Sequence, residues 1–211
     1  ITGAFLSKSK IVAGIKDKTF KGFDDPRLAT FAALRRRGIT AEAIKKMIID
    51  VGPKPADVTL SWENLYAYNR KILDAQSDRY FFVSEPITLK VTGIPKTFIA
   101  KLPRYPDKPE RGIREHTITP IGEDKQSTFW IAKKDVSGME TGKIIRLMEL
   151  FNVKIGEISN DAVEAVFVSE SYEDVRKIKA QLIHWIPQGQ EHPCEVIMPN
   201  ASVAQGVAED I

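Results

Sequence analysis

Apolar residues return every three or four positions through the first third of the chain and every second position from Arg79 onward. The first spacing belongs to amphipathic helices and the second to half-buried strands, so a helical part precedes a β part. The opening ITGAFLSKSKIVAG reads as a short hydrophobic piece, a Ser-Lys-Ser-Lys turn and an apolar segment at Ile11, Val12 and Ile15. In GFDDPRLATFAALRRRG, residues 22–38, Pro26 disfavours helix for the residue before it and sets a turn at Asp24 to Pro26. Thr30 then caps a helix through Phe31 and Leu34 that exits on Arg35, Arg36 and Arg37, and Gly38 ends it. Thr40 caps a second helix to about Asp50, with Ala43, Ile44, Met47 and Ile48 on one side and Lys45 and Lys46 on the other. Ser61 opens a third, whose Leu65, Tyr68, Ile72 and Leu73 keep helical spacing to about Ala75. Trp62 and Tyr66 on this helix read as packing residues rather than base-stacking ones.

Beyond Arg79, strands are predicted at Tyr80–Val83, Ile87–Val91, Thr97–Leu102, Arg114–Ile118, Thr128–Ile131, Lys143–Leu147, Val153–Ile158, Ala162–Val168, Gln181–Ile186 and Glu195–Met198. Only Tyr172–Lys179 looks helical in this part. Short strands separated by Pro and Gly turns argue for antiparallel barrels or a sandwich. The predicted fold class is therefore α+β and multi-domain.

Charge sharpens this division. The net charge of +3 is modest, but residues 1–50 hold eleven Lys and Arg against five acids, a net +6, which leaves −3 for the rest. A basic amino-terminal quarter suits a polyanion, and a solvated helical face explains it as cheaply. The arginine run at the helix exit has the same two readings, complement to the helix dipole or contact with phosphate. The single cysteine, Cys194, excludes an internal disulfide and fits a reducing compartment, with the cytoplasm as default. His116, His184 and His192 show no short-spaced ligand pattern, so no metal site is expected. No apolar run approaches the length of a membrane span.

Two segments then carry a resemblance. Phe5 to Ser9, FLSKS, resembles the KMSKS signature of class I aminoacyl-tRNA synthetases, with Phe5 departing from its first lysine, although Ser-Lys-Ser-Lys alone also makes an ordinary solvated turn. GFDDPRLATFAALRRRGITAEAI closely resembles the GWDDPRxPTxxxLRRRG segment of glutamyl- and glutaminyl-tRNA synthetases. RYFFVSEPITL, YPDKPERGIR, TFWIAKKDV, GKIIRLMELFNV and LIHWIP are similar, in order, to landmarks of the two-barrel anticodon-binding region of glutaminyl enzymes and of archaeal- and eukaryotic-type glutamyl enzymes. The resemblance covers most of residues 5–198.

It implies three regions: the end of a class I catalytic domain over 1–20, a helical stem-contact subdomain over 21–84, and an antiparallel β-barrel anticodon-binding region over 85–211 with its distal barrel at about 113–183. It implies ATP-dependent joining of glutamate to its tRNA, with Mg2+ accompanying the nucleotide in the full-length enzyme. Leu6, Ser7, Lys8 and Ser9 would line the nucleotide, and Lys8 with Ser7 and Ser9 would stabilise charge building on the leaving pyrophosphate. Arg35, Arg36 and Arg37 would touch the tRNA backbone, while Asp24, Asp25 and Arg27 brace the turn. Arg79 matches an arginine that reads the middle anticodon base, and Asp107, Lys108, Arg111, Arg114 and Arg146 complete the implied tRNA contacts. The loop Arg104 to Arg114 is also readable as an exposed charged loop between strands.

The partner so implied is glutamate tRNA, with glutamine tRNA as a second candidate, no membrane, and a monomeric protein. The nucleotide-binding fold and its HIGH-type signature are expected outside this sequence, so the chain alone is expected to be inactive. The closing strands of the proximal barrel are expected to be missing, leaving it open or disordered after about Asn200. Met148, and Ser137 with Gly138 in place of a Lys-Arg pair, depart from the glutaminyl pattern. A glutaminyl-tRNA synthetase fragment and a non-catalytic tRNA-binding module of the same architecture are the alternatives.

Overall fold

A computed structural model describes residues 7–53 and 61–209, and there the Ser-Lys-Ser-Lys stretch begins a helix rather than forming a turn. Helix α1, Lys8–Lys16, follows Ser7 and turns Ile11 inward to meet Phe20, Leu28 and Ala33 in a small core. Helices α2 (Phe31–Arg36), α3 (Ala41–Val51) and α4 (Trp62–Leu73) start where the sequence places their caps. Thr30, Thr40 and Ser61 each accept a backbone N–H three residues on, at 3.1, 3.2 and 3.1 Å. Gly38 takes φ +73°, a left-handed conformation that a side chain would strain, and its N–H donates to the Arg35 carbonyl. The apolar faces of these helices form a second core of Leu34, Ile39, Ala43, Met47 and Leu65. Leu65 is fully buried, which favours the folded state by about 1.5–3 kcal/mol.

The strands are β1 (Phe82–Ser84), β2 (Pro86–Thr92), β3 (Phe98–Pro103), β4 (Ile113–Ile118) and β5 (Ser127–Ala132), then β6 (Ile144–Leu147), β7 (Asn152–Ile158) and β8 (Ala162–Ser169). Two short strands, β9 (Leu182–Ile183) and β10 (Ile186–Pro187), precede β11 (Glu191–Ile197) and β12 (Val203–Glu209). Helix α5 (Lys133–Val136) follows β5, and α6 (Tyr172–Arg176) follows β8. Seven strands form one sheet in the order β10-β5-β2-β8-β7-β6-β9, with β1-β12-β11 and β3-β4 as smaller sheets. Pairing is mostly antiparallel, the expected pattern, but β2 with β8 and β6 with β9 run parallel.

Inward positions alternate as predicted. In β2, Ile87, Leu89 and Val91 are buried, and they join Phe129, Ile131, Phe151, Ile155, Val163 and Trp185 in the large core. The chain divides into two compact units, residues 1–78 with 197–203 and residues 79–196 with 204–211. The architecture is α+β.

Two further expectations change. The predicted strand Gln181–Ile186 is two strands that pair with different partners, β9 with β6 and β10 with β5, because the chain leaves the sheet between them at His184 and Trp185. The expected disorder after Asn200 is overturned for Val203–Glu209, which pairs with β1 in the register Phe82 to Ala208 and Ser84 to Gly206. Gly206 permits that pairing, since a Cβ there would lie 2.5 Å from the Phe82 ring and 2.5 Å from the Val83 carbonyl. Leu6 lies outside the described residues.

Candidate nucleic-acid interface

The turn of residues 22–38 is built around one carboxylate. Asp25 is almost fully buried, and its Oδ1 accepts from the backbone N–H of Arg27 at 3.1 Å and from Arg27 Nε at 2.9 Å. Its Oδ2 accepts from Lys21 N–H at 3.0 Å and from the Arg27 guanidinium at 2.8 Å. The Arg27 hydrogen bond, joined by those backbone donors, outweighs burial and holds the Asp25 carboxyl far below the usual carboxylate range. Arg27 also donates to the Thr19 carbonyl and lies 5.0 Å from the Phe20 ring centre. Such saturation leaves the Asp25 carboxylate neither for chemistry nor for a ligand.

The arginine run divides three ways. Arg35 is exposed. Arg36 pairs with Asp24 at 3.1 Å, both groups open to solvent. Arg37 lies 4.4 Å from the centre of Trp62 and 5.4 Å from that of Tyr66, and donates to the Tyr66 hydroxyl. Trp62 and Tyr66 stack at 6.0 Å, so these aromatics are packing residues with a cation between the helices. The connection between α2 and α3 is fixed by a residue that sequence reasoning missed. Buried Asn69 donates to the Gly38 carbonyl at 3.0 Å and accepts from Thr40 N–H at 2.9 Å and its hydroxyl at 3.1 Å.

At the chain's beginning, Ser7, Lys8 and Ser9 are all exposed at the amino-terminal end of α1. The two serine hydroxyls meet at 3.0 Å. Ser7 makes no side-chain cap, so its hydroxyl oxygen does not accept from the first N–H groups of the helix.

The β unit gathers cations differently. Between β3 and β4 the loop closes on itself through Arg104 N–H to the Gly112 carbonyl at 3.0 Å and Lys108 N–H to the Tyr105 carbonyl at 3.0 Å. It buries Tyr105 to 7% exposure. Around that one ring stand Arg79 at 4.6 Å, Arg111 at 5.4 Å and Lys108 at 5.6 Å from the ring centre. Three like charges crowded on one aromatic concentrate positive potential at an exposed loop, a good setting for a phosphate or a splayed base. Asp107 stands exposed at the tip of the same loop.

Two predicted contacts are buried. The Arg114 side chain is 8% exposed, donates to the Arg79 and Pro103 carbonyls, and pairs with Glu209 at 2.9 Å. Arg146 donates to Asn152 Oδ1 at 2.9 Å and to the Glu170 carbonyl at 3.0 Å. Asn152 completes that network by donating to Ser169 Oγ at 2.9 Å and to the Ser171 carbonyl at 2.7 Å. Both arginines brace the β unit from within. Met148 contributes its carbonyl to the Trp185 indole N–H at 2.9 Å, and the Ser137 hydroxyl donates to the Lys134 carbonyl at 2.7 Å. Among the described residues no group of three or more His, Cys, Asp or Glu could hold a metal, and no helix is long and apolar enough to cross a membrane.

With this geometry in place, the sequence matches two descriptions of one family. Residues 1–75 match tRNA synthetases class I (E and Q), catalytic domain, and residues 77–172 match the anti-codon binding domain of the same class. A glutamate–tRNA ligase of Pyrococcus abyssi is 47% identical over 99% of this chain, and that of Pyrococcus horikoshii is 46% identical over the same share. The glutamate–tRNA ligase of Methanopyrus kandleri is 40% identical, again over 99% of the chain. The chain spans 36% of the length of each of these relatives.

Proposed function

The chain belongs to the class I tRNA synthetases of the E and Q type, and on that premise we propose that it is the tRNA-binding part of a glutamate–tRNA ligase. In the whole enzyme, glutamate and ATP give an enzyme-bound glutamyl adenylate, which the terminal ribose hydroxyl of the tRNA attacks. The observation that carries this reading is the cluster of Arg79, Lys108 and Arg111 on Tyr105, which lies inside the segment matching the anti-codon binding domain. Exposed Arg79 is proposed to read the middle anticodon base, Lys108 and Arg111 to hold phosphates or stack beside it, and Asp107 to accept from the neighbouring base. Arg35, and more weakly Arg36, add sequence-independent phosphate contact from the helical unit. Arg37, Arg114 and Arg146 have internal partners.

Lys8, with Ser7 and Ser9, is proposed to stabilise the departing pyrophosphate when ATP and its Mg2+ are bound. Lys8→Ala is expected to slow adenylate formation in the full-length protein and to leave tRNA affinity unchanged. A normal rate of ATP–pyrophosphate exchange with tRNA present would remove that role. Glutamate tRNA is the proposed partner, in the cytoplasm, the protein acting as a monomer. The departures at Met148, Ser137 and Gly138 favour glutamate over glutamine as the amino acid. The test is charging of purified glutamate and glutamine tRNAs by the full-length protein: glutamate joined to glutamate tRNA is expected, and glutamine joined to glutamine tRNA would overturn the reading.

A further inference from the structure

Strand β12 turns a carboxylate inward where alternation calls for an apolar residue, and Glu209 is 1% exposed there. Its Oε1 accepts from the Phe81 N–H and from Arg114 at 2.9 Å, and its Oε2 accepts from His116 Nε2 at 2.7 Å. Burial opposes ionisation of this group, but the His116 and Phe81 hydrogen bonds and the Arg114 charge together hold it below the ordinary glutamate range. Buried charge clusters of this kind are often no more stabilising than apolar residues of the same volume. A stability role alone is therefore a weak reason for one to stand at this place.

What the cluster does hold is the backbone on both sides of Arg79. Anchored by Glu209, Arg114 sends its other terminal nitrogen to the Arg79 carbonyl and, at 3.4 Å, to the Pro103 carbonyl. The Arg79 N–H donates to the Arg104 carbonyl at 2.8 Å, so the residue is fixed at both of its peptide groups. Two residues on, Glu209 itself takes the Phe81 N–H. We propose that Glu209 is a positioning residue for RNA recognition, setting through Arg114 the backbone from which the Arg79 guanidinium reaches a base. A side chain that reads a base edge needs its root held to within about half an ångström, and for a flexible arginine that root is its backbone. This inference rests on the proposed role of Arg79.

The test uses the full-length protein with anticodon stem-loops of glutamate tRNA that carry either the cognate uridine or a cytidine at the middle position. Glu209→Gln keeps the volume and removes the charge, and about tenfold of the preference for uridine should disappear, a loss of the size that one base contact supplies. The steepness with which residual binding falls with salt should stay the same, because no phosphate contact is removed. In an Arg79→Ala background, Glu209→Gln should cost no further preference. Should Glu209→Gln not fold, Arg114→Lys leaves a cation beside Glu209 and loses the forked bonds to the carbonyls, and the same loss of preference is expected. An unchanged preference in these variants, or losses that multiply with that of Arg79→Ala, would overturn the positioning role while leaving Arg79 as the reader. Unchanged preference in Arg79→Ala itself would overturn both.

Discussion

The helical unit and the β unit are both rich in arginine, yet they use it in opposite ways. In the helical unit three guanidinium groups meet a carboxylate or an aromatic of their own: Arg27 meets Asp25, Arg36 meets Asp24, and Arg37 meets Trp62 and Tyr66. At the loop of the β unit three cations share a single ring, that of Tyr105. The first arrangement gives each of these cations its own internal partner, and the second gathers three on one ring at a surface loop, the place proposed to meet a polyanion. On the proposed function, a basic amino-terminal quarter is thus a poorer guide to the RNA-facing surface than a loop from the part of the chain with net negative charge.

Substitutions ought to separate the two uses. The largest expected effect is on stability. Asp25→Asn strips Arg27 of its partner and weakens acceptance from two backbone donors, at a cost of about 2–3 kcal/mol in denaturant unfolding, with no change in preference among anticodon bases. A loss of base preference with stability intact would break the distinction. Acid tests the same knot. Asp25 and Glu209 both have folded pKa values below their unfolded ones, so their contribution is complete above the unfolded carboxylate range and is lost as pH falls through the folded values. Unfolding is therefore expected to become easier below about pH 4, and the acid dependence should be shallower in Asp25→Asn than in the parent. An equally steep dependence would place the acid-sensitive groups elsewhere.

Smaller effects fall on binding. Lys108→Ala and Arg111→Ala should each weaken RNA binding across all anticodon sequences and lower the slope of log affinity against log salt by about 1. Arg35→Ala should act in the same direction and no more strongly, and Arg36→Ala less, because Asp24 already neutralises that guanidinium. If Arg36→Ala proved the more harmful of the two, its pair with Asp24 would have to open on binding.

Much of the fold was legible because local chemistry and global structure agree. The caps Thr30, Thr40 and Ser61, the stop at Gly38 and the alternation of Ile87, Leu89 and Val91 all act within a few residues of chain. What escaped depends on partners distant in sequence or on polar residues at inward positions. Strand β12 was hidden by Glu209 on its inner face, whose partners His116 and Arg114 lie more than ninety residues earlier. Asn69 interrupts the apolar stripe of α4 between Leu65 and Ile72, and that interruption was the available signal that a polar residue held the neighbouring turn. Arg146, set within the apolar run Ile144–Leu147, carried the same signal of an internal partner. In the arginine run, type and spacing are identical for Arg35, Arg36 and Arg37, so only the tertiary positions of Asp24, Trp62 and Tyr66 tell them apart.

The most direct measurement compares Arg79→Ala with Arg35→Ala in the full-length protein, reading affinity for glutamate tRNA with the middle anticodon uridine and for the same tRNA with that base replaced. Arg79→Ala is expected to lose roughly 1–3 kcal/mol of preference for the uridine, while Arg35→Ala weakens both RNAs equally and leaves the preference whole. Retention of the full preference by Arg79→Ala, or its loss in Arg35→Ala, would contradict the assignment of base reading to the β unit.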